Sequence, residues 1–144
     1  MLNVEEGIKY LQDSGAKITS QRIAIMKSLE GRDDHPSAER IFLELKPMHP
    51  TLSIATVYST TQLLAQASML RILSIDEKKV YFDPDTSPHA HFMCTRCKKI
   101  VDINVDFEML TKIGSEYGIA SIENTEIFHY GVCSECADDK KHRK

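Results

Sequence analysis

All four cysteines of this chain fall in two Cys-x-x-Cys pairs, Cys94-Thr-Arg-Cys97 and Cys133-Ser-Glu-Cys136. Each pair places two sulfurs on one turn, and two such turns supply four soft donors, the number a structural zinc ion takes. The interval from Cys97 to Cys133 is longer than in a simple zinc finger, so Zn(II) there ties together elements distant in sequence and staples a small domain. Two other uses of the cysteines fit less well. A disulfide framework needs an oxidising compartment, whereas Met1 to Tyr10 lacks the apolar stretch of a secretory leader and is interrupted by Glu5, Glu6 and Lys9. A thioredoxin-like redox pair sits at a helix start after a strand and leaves the second pair without a role.

The remaining composition sets bounds. With 144 residues, 42% of them hydrophobic, the chain forms one domain or two very small ones with adequate cores. No apolar run reaches membrane-spanning length, so a soluble, cytoplasmic protein is expected. A net charge of −3 neither announces nor excludes a nucleic-acid partner, since local clustering of basic residues decides that.

The texture changes at Asp83-Pro84-Asp85-Thr86-Ser87-Pro88, where two prolines among short polar residues favour an extended linker. This predicts a first domain over 1–83, a hinge over 84–88 and a second domain over 89–144. The ending Lys140-Lys141-His142-Arg143-Lys144 reads as a frayed, solvated tail.

Before the boundary, apolar residues recur at helical spacing in short pieces. Val4, Ile8 and Leu11 stop near Ser14-Gly15; Ile23, Met26 and Leu29 follow Thr19-Ser20 and stop at Gly31. Ile41, Phe42 and Leu45 follow Pro36-Ser37 and end near Pro47, and a fourth helix opens at the N-cap Ser53 and carries Val57, Thr61, Leu64 and Ala65. The β-rich runs Leu70 to Ile75 and Lys79 to Asp83 flank Asp76-Glu77-Lys78 as a hairpin. Short helices followed by a hairpin predict a winged helix-turn-helix, whose last helix enters the major groove. The helix start Ser53-Ile-Ala-Thr-Val-Tyr58 is dense in hydroxyls able to reach phosphates and base edges, and reads equally as a capped helix with Tyr58 packed against the core.

A second set of ligating side chains stands apart from the cysteines. If Pro88-His-Ala-His-Phe-Met-Cys94 is a strand, His89 and His91 share a face and chelate one ion. Asp83 and Asp102 flank this segment, and His35 lies far upstream. Three imidazoles and two carboxylates suit Fe(II), Mn(II), Zn(II) or Co(II) better than calcium or copper(I). The plainer alternatives are a capping His35 and an Asp83-Pro84 turn starter.

Taken together, Ile18-Thr-Ser-Gln-Arg22, His35-Pro36, Ser53-Ile-Ala-Thr-Val-Tyr58, Tyr81-Phe-Asp83, His89-Ala-His91, the two cysteine pairs, Ile100-Val-Asp102 and Tyr130-Gly-Val-Cys133 resemble the ferric-uptake-regulator family of metal-dependent bacterial transcription factors over nearly the whole length. The resemblance implies an α+β protein: an N-terminal winged-helix DNA-binding domain, a hinge, and a small C-terminal α/β dimerisation domain with structural zinc, acting as a homodimer on palindromic operator DNA. It implies that His35, Asp83, His89, His91 and Asp102 form a regulatory Fe(II) or Mn(II) site that spans the hinge and favours one DNA-competent geometry when filled. Asp102, where the iron-sensing branch more often has glutamate, is similar to the peroxide-sensing branch, in which bound Fe(II) reacts with peroxide and a ligand histidine, here His35 or His89, is oxidised. An iron- or manganese-sensing repressor is the second reading, and a zinc-stapled protein-interaction module without DNA binding a third. A metalloenzyme would need a general base beyond the ligand set, and no further Glu-His constellation supplies one.

Two departures from the family pattern stand out. Thr125 occupies the place of a histidine expected before the Tyr-Gly-x-Cys motif, with His129 nearby but out of register. After Tyr58, Ser59-Thr60-Thr61-Gln62 replaces the usual basic or amide residues, and residues 1–83 hold ten Lys/Arg against eleven Asp/Glu. The candidate DNA contacts are therefore Lys17, Arg22, Ser53, Thr56, Tyr58, Ser59, Thr60 and Gln62, with Arg71, Lys78 and Lys79 adding local positive charge.

Overall fold

A computed structural model describes residues 1–139; the Lys140–Lys144 tail expected to fray lies outside the described residues. The chain divides into two compact units, Met1–Ser87 and the residues from Pro88 onward.

The first unit starts with four helices, each opened by a side-chain cap. Helix α1 (Val4–Asp13) begins at Asn3, α2 (Ser20–Leu29) at Thr19, α3 (Ala38–Leu45) at Ser37 and α4 (Ile54–Gln66) at Ser53; in each, the cap oxygen accepts a hydrogen bond from a backbone N–H three residues on. Gly31 follows α2 with φ 70°, a backbone state glycine adopts without steric cost. The apolar stripes of the four helices meet in a core in which Leu11, Ile25, Met26, Leu29, Ile41, Val57, Leu64 and Phe82 are wholly buried. Gly7 makes this packing possible, because a Cβ there would lie 2.7 Å from Met26 Sδ.

Strands β1 (Arg71–Leu73) and β2 (Tyr81–Asp83) pair antiparallel, with Arg71 opposite Asp83, and a bridge from Tyr81 to Ser37 ties the pair to the start of α3. The strands are shorter than the β-rich runs suggest. Ile75 turns into the interior, and Asp76 Oδ1 accepts a hydrogen bond from Lys78 N at 3.0 Å, so a side-chain-capped turn replaces further ladder. The stretch expected to be a hinge is hydrogen-bonded into the first unit as far as Ser87. Leu2 N donates to Pro84 O at 3.1 Å, and Arg71 Nη2 donates to Thr86 O at 3.1 Å.

The second unit is a three-stranded sheet of order β4-β3-β5 with two helices. Strand β3 (Ala90–Cys94) pairs antiparallel with β4 (Ile100–Ile103), helix α5 (Phe107–Glu116) crosses to the other edge, and β5 (Phe128–Gly131) pairs parallel with β3 before α6 (Ser134–Asp138). Parallel pairing of neighbours in a sheet needs such a long crossover. Its register sets Cys94 opposite Gly131, two residues before Cys133. Among the described residues, no helix is long and apolar enough to cross a membrane.

Candidate metal centres and the face of the fourth helix

The parallel β3–β5 register delivers the two cysteine pairs to one point. Cys94 ends β3, and the chain doubles back through a tight turn in which Lys98 N donates to Cys94 O and Cys94 N donates to Lys99 O, both at 2.9 Å. Lys98 completes that turn with φ 65°. From the other side, Thr95 N donates to Gly131 O at 2.8 Å, Cys133 sits at the N-cap of α6, and Cys136 lies within that helix. All four sulfurs lie within 4.8 Å of one another, none is in a disulfide, and Cys97 Sγ is 3.8 Å from Cys133 Sγ. A tetrahedral ion with Zn–S bonds near 2.3 Å has sulfurs about 3.8 Å apart, so the spacing fits zinc. The electrostatics agree. Backbone N–H groups of Cys133 and Cys97 aimed at Cys94 Sγ pull its thiol down to about 6, while the Cys133 sulfur and burial push Cys136 up to about 12. Four sulfurs this close cannot all ionise unaided, and a dication is the partner that makes four thiolates compatible. Arg96 Nη1 donates to Cys136 O at 2.9 Å and Lys99 Nζ pairs with Glu135 at 3.1 Å, so the first knuckle also grips the second.

The His and Asp candidates form one pairing in each unit. In the first, His35 Nε2 is 3.4 Å from Asp83 Oδ2, both side chains are only 2% exposed, and Asp83 is held at the end of β2. In the second, His89 precedes β3 and His91 lies in it, so the strand period puts both on one face with ring centroids 4.4 Å apart. Asp102 is the direct partner of His91 in the β3–β4 ladder, with its Oδ1 3.2 Å from His89 Nε2 and 3.5 Å from His91 Nε2. Buried imidazoles facing carboxylate oxygens form a mixed N/O donor set suited to a first-row divalent ion such as Fe(II) or Mn(II).

The comparisons with known proteins bear on both centres. The model of the ferric uptake regulator family matches residues 13–130. The chain belongs to the ferric uptake regulator family. It is 33% identical to the peroxide-responsive repressor PerR of Staphylococcus epidermidis over 140 residues, covering 94% of this chain and 91% of that protein. The fold matches the ferric uptake regulator of Helicobacter pylori with a TM-score of 0.80 at 19% identity, covering 96% of each chain. PerR from Streptococcus pyogenes, described as a structural basis for peroxide sensing and gene regulation, superposes with a TM-score of 0.53 at 28% identity over 94% of each chain.

Within this family member, the candidate DNA contacts divide by placement. Lys17, Arg22, Thr56 and Ser59 line one surface groove with Thr19, Ser20 and Gln21. Arg22 Nη1 is anchored by Lys17 O at 2.7 Å, and Gln21 Nε2 donates to Thr51 Oγ1 at 2.9 Å. Thr19 and Ser20 were legible as the start of a helix, and Gln21 only as part of the family-like segment Ile18 to Arg22, but none of the three as groove lining. Ser53, the N-cap of α4, and Gln62 within it are exposed. Tyr58 turns inward, its hydroxyl donating to Glu39 Oε1 at 3.4 Å, with burial and then Glu39 raising its pKa. Thr60 corrects the sequence expectation. It is wholly buried, because a residue one step along a helix from exposed Ser59 is rotated by about 100° into the core. The second unit carries its own exposed apolar surface, including Met109 at 67% and Tyr117 at 75% on and after α5.

Proposed function

We propose that the chain is a metal-dependent transcriptional regulator, a repressor that binds palindromic operator DNA as a homodimer when a regulatory ion is bound, and that it senses peroxide. The reading rests chiefly on one observation: a family member in which His35 pairs with Asp83, and His89 and His91 converge on Asp102, all four first-named side chains being buried. In this proposal His35 and Asp83 of the first unit and His89, His91 and Asp102 of the second hold one Fe(II) or Mn(II), and Cys94, Cys97, Cys133 and Cys136 hold structural Zn(II). Filling the shared site favours the DNA-competent state, so metal and operator strengthen each other's binding. The winged-helix reading places α4 in the major groove, with Ser59 and Gln62 toward bases and Lys17, Arg22, Ser53 and Thr56 toward phosphates. The exposed apolar residues of the second unit, Val101, Met109, Ile113, Tyr117 and Tyr130, are the surface for a second copy.

Bound Fe(II) would lend the electron that cleaves the peroxide O–O bond and would recover it as the ring is oxidised, so peroxide is the net two-electron oxidant. The buried imidazole of His35 or His89 would gain one peroxide oxygen at a ring carbon, the other oxygen would leave as water with the ring hydrogen, and the altered ring would no longer hold the site. Similarity to peroxide-responsive PerR and the aspartate at 102 support this over plain iron or manganese sensing. An operator-shift assay tests the broader claim. Mn(II) should lower the protein concentration needed for half-maximal shift by at least about ten-fold, a coupling in the ordinary range for allosteric proteins. No shift with or without Mn(II) points instead to an interaction module, and a shift that Mn(II) leaves unchanged contradicts metal dependence.

A further inference from the structure

His35 has φ 46°, a left-handed backbone state that a non-glycine residue adopts only when its surroundings impose it. It also precedes Pro36, whose ring restricts the preceding residue toward extended conformations. Two independent anchors flank this residue. On its C-terminal side, Phe82 N donates to Pro36 O at 3.0 Å and Ser37 bridges Tyr81, which fixes the next two residues to β2. On its N-terminal side, Asp34 is locked into a ring of four charges. Arg32 grips Asp34 through Nε–Oδ1 at 2.7 Å and Nη2–Oδ2 at 3.1 Å, and grips Glu44 through Nη1–Oε2 at 2.7 Å and Nη2–Oε1 at 3.1 Å. Arg40 closes the ring, reaching Asp34 Oδ2 at 2.8 Å and Glu44 Oε1 at 2.9 Å. The ring joins the end of α2, the loop before His35 and the exposed face of α3. Arg32 holds both carboxylates bidentately and Arg40 adds one contact to each, a geometry that a single looser ion pair could not match.

We propose that the Arg32–Asp34–Arg40–Glu44 ring is a positioning device for the regulatory ion: it holds the backbone of His35 in the left-handed pose before metal arrives, so that metal need not order that loop on binding. Arg32 is its keystone, being the member that holds both carboxylates bidentately and is least exposed, at 18%. The ring holds Asp34, the residue before His35, so its effect on affinity runs through the geometry of that loop. The inference rests on His35 being a ligand of the regulatory ion.

The test uses the full-length, zinc-loaded protein and Mn(II) as the probe, comparing wild type with Arg32→Gln and His35→Ala. Arg32→Gln should weaken Mn(II) binding about ten-fold, the lower end of losses seen when residues supporting a ligand are removed. In metal-free Arg32→Gln, the amides of His35 and Ser37 should exchange with solvent faster than in wild type while those of α4 are unchanged, a readout that general destabilisation would not confine to this loop. Asp34→Asn keeps the side-chain shape and serves as the second variant should Arg32→Gln fail to fold, with a smaller loss expected. Wild-type Mn(II) affinity in a folded ring variant, with His35→Ala impaired, overturns the positioning role and leaves the metal site standing. Wild-type affinity in His35→Ala overturns both.

Discussion

Asp102 stands directly across the β3–β4 ladder from His91, with its Oδ1 3.5 Å from His91 Nε2 and 3.2 Å from His89 Nε2. One carboxylate thus faces both imidazoles of the second unit from a partly exposed strand, where its own loss costs little packing. Asp102→Asn should therefore leave thermal melting within about 0.5 kcal/mol of wild type, the usual range for a surface change. It should weaken Mn(II) binding by ten-fold or more, because a neutral amide cannot offset the charge of the ion. Isothermal titration with Mn(II) beside a melting curve separates the two effects.

The cysteine site should behave as a staple and not as a sensor. Structural zinc contributes on the order of 10 kcal/mol to small metallo-domains, so Cys97→Ser should release zinc, unfold the second unit at far lower temperature and convert dimer to monomer. Zinc content, melting temperature and sedimentation measured together check this. A fully zinc-free variant with wild-type melting and assembly would contradict it.

Thr60 and Thr61 sit side by side on α4 and differ in one respect. Thr61 Oγ1 donates back to Val57 O at 2.9 Å, whereas Thr60 Oγ1 is buried and has no hydrogen-bond partner. An unsatisfied buried hydroxyl costs on the order of 1 kcal/mol or more, so Thr60→Val should stabilise the first unit by about 1 kcal/mol in urea unfolding. Operator affinity should be unchanged by Thr60→Val and reduced by Gln62→Ala, since only the second residue faces out.

The Arg32 ring gives the first unit an acid-labile increment of stability. Its guanidinium holds the carboxyls of Asp34 and Glu44 below their ordinary values of 3.8 and 4.5. A carboxyl depressed by folding contributes stability that is complete above its unfolded value and lost as pH falls through the folded one. Stability should therefore be flat at neutral pH and decline below about pH 4. Both carboxylates are 39% exposed, so solvent screens the increment to about 1 kcal/mol or less. Urea midpoints of wild type and Arg32→Gln, measured from pH 3 to 7, should converge at the acid end.

What could be read from the chain and what could not divides by sequence distance. The Cys-x-x-Cys turns, the strand placement of His89-x-His91 and the caps Thr19, Ser37 and Ser53 are local signals, each fixed within about one turn or one strand. The parallel β3–β5 register is not, since it pairs Cys94 with Gly131 across a crossover that leaves no periodic trace. Asp102 could be named as a candidate, but its place opposite His91 depends on how tightly the chain turns between Cys94 and Ile100. The Arg32 ring joins residues twelve apart on different elements, and the left-handed state of His35 follows from that tertiary setting against the preference of a residue before proline. Thr60 was legible in principle, because helical period alone separates it from Ser59 and Gln62.

The central claim is a metal site whose own histidines record peroxide, and peptide mass spectrometry of protein loaded with Fe(II) or Mn(II) and given stoichiometric hydrogen peroxide tests it most directly. The Fe(II) form should gain one oxygen in the peptide holding His35 or the one holding His89 and His91, and should lose operator binding in the same sample. The Mn(II) form should do neither, and the zinc thiolates, already coordinated, should stay unmodified on that time scale. Intact histidines accompanied by oxidised cysteines and released zinc would contradict the account.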